Sequence, residues 1–302
     1  MSAVTAQAQK PVAATTVRNR AWLAPYLLNL PALVVVGTLL VVPLVMTLIL
    51  SLHSFGMYTG VTDDISLKNY AEIVSDPYFH EIFLRTLRIS LFTTLAAAAL
   101  GAPEAYILHK MRAPWRSIFL LVMLGPLLIS VVARTLGWAM LLGSTGVVNQ
   151  ALTGLGLLSS PVQFMYTETG VVIALAHVLM PFMVISVWAA LQRLDPQVEN
   201  AAVSLGASPF TVVRRVVLPQ IMPGILSGSI IVFALAASAF ATPAIIGGRR
   251  LKVAATLAYD EFLSTLNWPL GAAIAVLLLL ANIVIIIGCN RLVERRYAQV
   301  FQ

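Results

Sequence analysis

Residues able to do chemistry are few in this chain, and their spacing suits docking and ion pairing, not the making or breaking of bonds. Residues 199–219, Glu-Asn-Ala-Ala-Val-Ser-Leu-Gly-Ala-Ser-Pro-Phe-Thr-Val-Val-Arg-Arg-Val-Val-Leu-Pro, form a charged island between two long apolar stretches. Val198, Ala201, Ala202 and Leu205 recur at i, i+3, i+4 and i+7. This predicts a short helix with a narrow apolar stripe and Glu199 and Asn200 beside it. Gly206 is expected to end that helix, because glycine alone takes a left-handed turn without steric cost. Ser208 and Pro209 then restart the chain as N-cap and first helical residue, and Leu218-Pro219 is expected to close the second helix. A helix, a sharp corner and a second helix make a shape that docks into a partner.

The other reactive side chains stand inside apolar runs, where ionisable groups are costly and call for a partner. Glu104 follows Pro103 and can either pair with His109 or Arg112 or stabilise a passing cation. Arg134 stands beside Trp138, as a hydrogen-bond anchor to carbonyls or as a pathway residue. Thr242 and Pro243, with Pro181, mark kinks in helices that would line a path, and His177 reads as a packing residue. The candidate path residues are therefore Glu104, Arg134, Trp138, Thr242 and Pro243. No His-Glu-x-x-His, no Gly-x-Ser-x-Gly and no intramembrane aspartate pair is present, so no catalytic residue is assigned. No Gly-Lys pair occurs either, which excludes a phosphate-cradling loop in this chain. His53 and His80 are too far apart and too poorly supplied with neighbouring ligands for a metal site. Cys289, the one cysteine, can form no internal disulfide.

The elements that must position these residues are membrane helices. Of 302 residues 59% are hydrophobic and 10% charged, with a mean hydropathy of +0.91. A soluble domain cannot bury that much apolar surface. Six stretches reach the ~20 residues needed to cross a bilayer: roughly 22–51, 86–108, 117–142, 169–192, 221–246 and 270–290. An all-α membrane protein with six transmembrane helices follows. With the N-terminus inside, the inner segments carry twelve Lys and Arg and the outer segments six, so both termini and the 195–220 loop are expected to be cytoplasmic. The net charge of +7 is thus a topology signal. Nucleic acid is not an expected partner, since there is no basic stripe with interleaved aromatics. Residues 1–20 read as a disordered cytoplasmic tail and 21–302 as the membrane domain. Basic residues before the first apolar stretch evoke a secretory signal, but its length and the lack of a cleavage site favour a retained anchor.

The outer segments have character of their own. Residues 52–85 mix aromatics, acids and glycine, enough for a small folded lip. Residues 143–170 are too apolar for a solvated loop and too short to span, and are expected to dip into the interface. Residues 255–268 are amphipathic, suited to a gate or a platform for a soluble partner. In the fifth stretch Gly224, Ser227, Gly228, Ala234, Ala237 and Ser238 supply a small-residue face for close helix approach. No internal repeat is visible, so one chain does not carry both halves of an inverted-repeat pathway.

The 199–219 pattern resembles the cytoplasmic coupling loop of membrane subunits of ATP-binding-cassette importers: Glu-Ala-Ala, three residues, Gly, nine residues, Ile, one residue, Leu-Pro. Ala201, Ala202, Gly206, Leu218 and Pro219 match in register. Asn200 stands where the Glu is expected, with Glu199 one residue early, and Val216 replaces the Ile. Further segments are similar to the spermidine/putrescine branch: Asn69-Tyr70, Asp76-Pro77-Tyr78-Phe79, Arg134-Thr135-Leu136-Gly137-Trp138, Phe240-Ala241-Thr242-Pro243-Ala244 and Asn267-Trp268-Pro269-Leu270-Gly271. This similarity covers nearly everything after residue 20. It implies a type I importer permease in a bacterial inner membrane, paired with a second permease, two copies of a cytoplasmic ATPase and a soluble substrate-binding protein outside. ATP and Mg would be bound by the ATPase, and this chain would hold no cofactor. The implied docking residues are Glu199, Asn200, Ala201, Ala202, Leu205, Gly206, Leu218 and Pro219. The implied solute is a small amine such as putrescine or spermidine, and Arg134 facing such a cation would repel it, which favours the anchor role. An opine or amino-acid-like solute is the alternative within the same architecture. An ion-gradient-driven transporter would need paired membrane acids or a duplication, and only Glu104 is found.

Overall fold

A computed structural model describes residues 24–297, with side chains described from 29 to 291. The tail expected over 1–20 lies outside the described residues. The chain divides into two units, Met1–Ile49 and Leu50–Gln302. The first holds most of α1 (Ala24–Ser51), which is predominantly apolar and carries Pro31 and Pro43 inside it. Thr47 Oγ1 donates to the Pro43 carbonyl at 2.8 Å.

The second unit opens on a β-hairpin that periodicity did not reveal, β1 (His53–Gly56) and β2 (Gly60–Ile65), paired antiparallel with an irregular register between His53 and Phe55. Asn69 on α2 (Lys68–Ser75) is buried and donates to the carbonyls of Ser51 and His53 at 2.9 and 2.8 Å, fixing the hairpin's root. The expected lip is therefore a hairpin with a helix behind it. His53 and His80 bond the carbonyls of Thr62 and Val74, and no cluster of metal ligands occurs among the described residues.

Helix α3 (Pro77–Lys110) starts nine residues earlier than hydropathy indicated, because Asp76 caps it by accepting from Tyr78 N at 2.8 Å and Pro77 takes the first position. Its 34 residues span about 51 Å, more than the ~30 Å apolar thickness of a bilayer. It packs with α7 (Glu168–Leu191) and α10 (Leu218–Ala237). Small residues permit this, since no hydrophobic force drives helices together in lipid. A Cβ on Gly224 would stand 2.6 Å from Ala190 Cβ and one on Gly228 2.8 Å from Met183 Sδ. The two glycines are four residues apart and so share one helix face. Val178, Met183, Val184, Val187 and Leu191 of α7 fill the resulting core.

The third apolar stretch departs from expectation. It is not one helix over 117–142 but α4 (Trp115–Leu124), a 3₁₀ turn at Gly125–Leu128, and α5 (Val131–Leu142) after a break. Pro126 offers no N–H, and Ile129 and Ser130 are extended ahead of α5. The run long and apolar enough to cross a membrane is Val131–Gly154, formed by α5 with α6 (Val147–Gly154). Buried Asn149 on α6 organises the following loop: its Nδ2 donates to Gly143 O and Val162 O, and its Oδ1 accepts from Val162 N, all at 2.9 Å. Among the described residues, six helical segments meet the length and hydropathy of a membrane span.

The fifth span also begins and ends early. α9 (Pro209–Val212) runs through a π-turn at Val213–Val217 directly into α10. Leu218-Pro219 therefore does not close a helix, contrary to expectation. The wide turn lets Leu218 N–H bond Val213 O, five residues back, and makes room for the Pro219 ring. α10 ends at Ala237, and a second π-turn, Pro243–Gly247, precedes α11 (Ala254–Leu263) and α12 (Trp268–Tyr297). Residues of α2, α3, α11 and α12, among them Ile73, Phe79, Leu257 and Ile274, form a separate core near the hairpin.

Candidate functional site

The corner expected at 199–219 forms as local chemistry dictates. Asp195 caps α8 (Pro196–Ser204) by accepting from Gln197 N at 2.9 Å, and Pro196 is its first residue. Gly206 turns the chain at φ +83°, with no atom within 4 Å of where a Cβ would stand. Gly206 N and Ala207 N close the end of α8 on Val203 O and Ala202 O, at 2.9 and 3.1 Å. Ser208 then accepts from Thr211 N at 3.3 Å and starts α9.

The expected apolar stripe divides between two faces. Ala202 and Ala207 pack against the α3–α7–α10 core. Val198, Ala201 and Leu205 are exposed, Leu205 at 88%, and Phe210 beyond the corner joins them. Asn200 is exposed as well. Glu199 is not: it is buried and turned towards α3, where Oε2 accepts from Lys110 Nζ at 2.6 Å and from Tyr106 OH at 3.4 Å. One residue along an α-helix is a rotation of 100°. A carboxylate at 199 therefore serves a different face from one at 200. The Lys110 partnership could have been sought on that ground, but it joins residues 89 apart in sequence.

The intramembrane candidates form one group and one outlier. Arg134 Nη1 lies 3.5 Å from Val178 O, a long bond, and its buried Nε has no partner. One turn on, Trp138 Nε1 donates to His177 Nδ1 at 3.0 Å, with the rings edge-on at 5.3 Å. His177 is exposed and faces this cluster, a pairing that sequence reading did not anticipate. Thr242 is buried and shares a 3.0 Å hydroxyl bond with Thr135, the neighbour of Arg134, while Pro243 is buried at the start of its π-turn. These two join α5 to the 238–247 segment through packing. Glu104 lies apart near the far end of α3, half-buried, and forms no ion pair with His109 or Arg112.

The opposite end of the bundle carries a charge network. Arg85 pairs with Glu81 and, at 3.6 Å, with Glu168, and Arg88 also pairs with Glu168. Arg85 Nη1 donates to Lys252 O at 3.2 Å, and Lys252 Nζ meets Asp260 at 2.8 Å. The Asp260 hydrogen bond holds the Lys252 ammonium above its ordinary pKa against the opposing effect of burial.

With this geometry in view, the family described as "Binding-protein-dependent transport system inner membrane component" matches residues 157–299, which include α7 and the whole α8–α9 corner. The chain is 30% identical over 235 residues to the spermidine/putrescine transport system permease protein PotB of Haemophilus influenzae, covering 77% of this chain and 82% of that protein. It is 32% identical over 213 residues to PotB of Escherichia coli K12, covering 70% and 77%. A bacterial ABC transporter involved in import of the acidic polysaccharide alginate superposes with a TM-score of 0.74 at 20% identity, over 91% of this chain and 96% of that one, a likeness of fold.

Proposed function

The chain belongs to the inner membrane components of binding-protein-dependent transport systems, and from that premise we propose that it forms half of a pathway for a small amine such as putrescine or spermidine. It is a multi-pass, non-catalytic permease subunit of an ATP-driven importer, working with an ATPase and a soluble binding protein. The finer assembly in this reading has a second permease and two ATPase copies, with both termini and α8 in the cytoplasm. ATP and Mg belong to the ATPase, and the 195–220 loop engages it. The observation that carries the reading is the exposed apolar edge of the α8–α9 corner, Val198, Ala201, Leu205 and Phe210, held out by a left-handed Gly206. A short helix with such an edge fits a groove in a partner.

The amine rests on the two PotB relatives, named for spermidine and putrescine, and on the acids of the hairpin end, Asp63, Asp64, Glu72 and Asp76, which would concentrate cations there. One observation favours a second solute class: Arg134 forms no ion pair among the described residues. A solute bearing a carboxylate as well as an amine, opine or amino-acid-like, would supply the missing charge. Uptake of labelled putrescine and spermidine by cells with and without this gene, competed by opines and amino acids, tests both. Loss of polyamine uptake is the expected result; unchanged polyamine uptake with loss of opine uptake would transfer the assignment to the second class.

A further inference from the structure

Glu199 is described by its resemblance as a docking residue, yet its carboxylate points the other way. Its side chain is 8% exposed. Oε2 is held by Lys110 Nζ and Tyr106 OH, and Oε1 is buried with no hydrogen-bond partner. Lys110 is the last residue of α3, where a cation meets the negative end of the helix dipole, and its ammonium also lies 5.5 Å from the centre of the Tyr106 ring. The two elements joined are thus α8, the proposed docking helix, and α3, which packs against α7 and α10.

Beside this pair, α8 packs against α9 and the π-turn 213–217, and Ala202, with Ala207 after the corner and buried Leu194 before the helix, meets the core through apolar contacts. Apolar contacts of this kind resist sliding weakly, since each atom pair contributes little and has no direction. An ion pair with its carboxylate out of water is directional, and breaking it strands a buried charge. α3 in turn is keyed to α7, where a Cβ on Gly101 would stand 3.1 Å from Met183. A displacement of α8 delivered through Lys110 would therefore reach the packed helices.

We propose that the Glu199–Lys110 ion pair, seated beside Tyr106, is the tie that carries movement of α8 into α3, so that Glu199 is a positioning residue turned inward and not a ligand of the ATPase. This rests on the reading of the corner as the ATPase-docking site. The exposed neighbours Val198, Ala201 and Leu205 are left for the partner, and Asn200 needs no charge.

The test uses the whole importer, reconstituted in lipid vesicles with its ATPase, second permease and binding protein. It records three quantities: ATPase retained, ATP hydrolysed, and solute moved per ATP. Glu199→Ala and Lys110→Ala are expected to retain the ATPase and to hydrolyse ATP within about twofold of wild type, while solute moved per ATP falls about tenfold. Exchanging the charges, Glu199→Lys with Lys110→Glu, is expected to recover most of that ratio, and Lys110→Arg, which keeps the charge, to stay near wild type even where an alanine variant folds poorly. Loss of the ATPase from assembled Glu199→Ala would make Glu199 a direct contact and overturn the tie. So would an unchanged ratio in both single variants, or an exchanged pair that assembles yet performs no better than either one. A wild-type chain that captures no ATPase would overturn the functional reading itself, and the tie with it.

Discussion

At one end of α3 a single ion pair, Lys110–Glu199, keeps its carboxylate at 8% exposure; at the other, Glu168 at 29% exposure is shared by Arg85 and Arg88, with Glu81 alongside at 68%. The same helix is thus anchored by charge in two physical regimes. A carboxylate out of water is little screened by salt, and losing Lys110, itself half-exposed, is costly because the Glu199 charge stays buried. The network at the other end is redundant: Arg85, though mostly buried, has two carboxylate partners, and Arg88 and Glu81 are open to screening, so any one member contributes less. By charge, α3 is joined to α8 through one pair and to α7 and the 252–260 region through several. At the hairpin end those charges add to an apolar core that α3 shares with α2, α11 and α12.

The largest expected effect lies in the corner on which the single-pair end depends. Gly206 has open space around it, so a substitution acts only through the backbone. At φ +83° a β-branched side chain is strained by at least ~1–2 kcal/mol, whereas asparagine tolerates the left-handed region. Gly206→Val is expected to abolish uptake at normal expression, and Gly206→Asn to retain most of it. Equal loss in both would mean that the glycine is needed for a close approach by the partner, and the strain argument would fall.

Sequence reached this corner because its determinants are local. Gly206, Ser208 and Pro209 act within four residues of themselves, and all three do in the structure what their chemistry predicts. Proline elsewhere shows where local reading stops. Pro126 breaks an apolar run into α4 and α5, and Pro219 sits in an uninterrupted one, because a π-turn just before it absorbs the lost bond. Hydropathy is blind to the difference, and so it gives the third span as 117–142 where the structure has 131–154. The six-span architecture was legible for the same reason that its joints were not: greasiness is summed over ~20 residues, while a joint is decided by one. Glu199 and Lys110, Thr135 and Thr242, and Trp138 and His177 are pairs that only packing brings together. Arg85 falls just before the 86–108 stretch by hydropathy, yet it belongs to α3, because the cap at Asp76 starts that helix at Pro77.

A smaller effect is expected at the hairpin end. Glu168→Gln removes the negative charge shared by Arg85 and Arg88, yet Arg88 is half-exposed and Arg85 keeps Glu81 and the Lys252 carbonyl. The thermal midpoint of the purified chain in detergent should fall slightly at low salt, and the difference should vanish in about 1 M salt, where screening reaches ~3 Å. The midpoint deficit of Lys110→Ala, which leaves the Glu199 carboxylate buried without its cation, should persist at both ionic strengths. A Glu168→Gln deficit that survives high salt would place both ends of α3 in one regime and erase the contrast.

The smallest effect concerns Lys252 and Asp260, which lie outside the spans. The Asp260 hydrogen bond raises the Lys252 pKa in the folded chain. A group whose folded pKa is raised contributes stability that is complete below its unfolded pKa and is lost as pH rises through the folded value. For a lysine that window opens near its unperturbed value of about 10.4 and extends upward. Both side chains are about one-third exposed, which dilutes the contribution through solvent screening. Thermal midpoints of wild type and Lys252→Met should therefore differ slightly and constantly from pH 7 to 9, then converge above about pH 10.4 as the wild-type ammonium deprotonates. Because Arg85 also donates to the Lys252 backbone carbonyl, a contact the substitution keeps, α11 should stay in place in the variant. Convergence at acidic pH instead would assign the difference to Asp260 as the titrating partner, and the hairpin end would then be governed by its carboxylates.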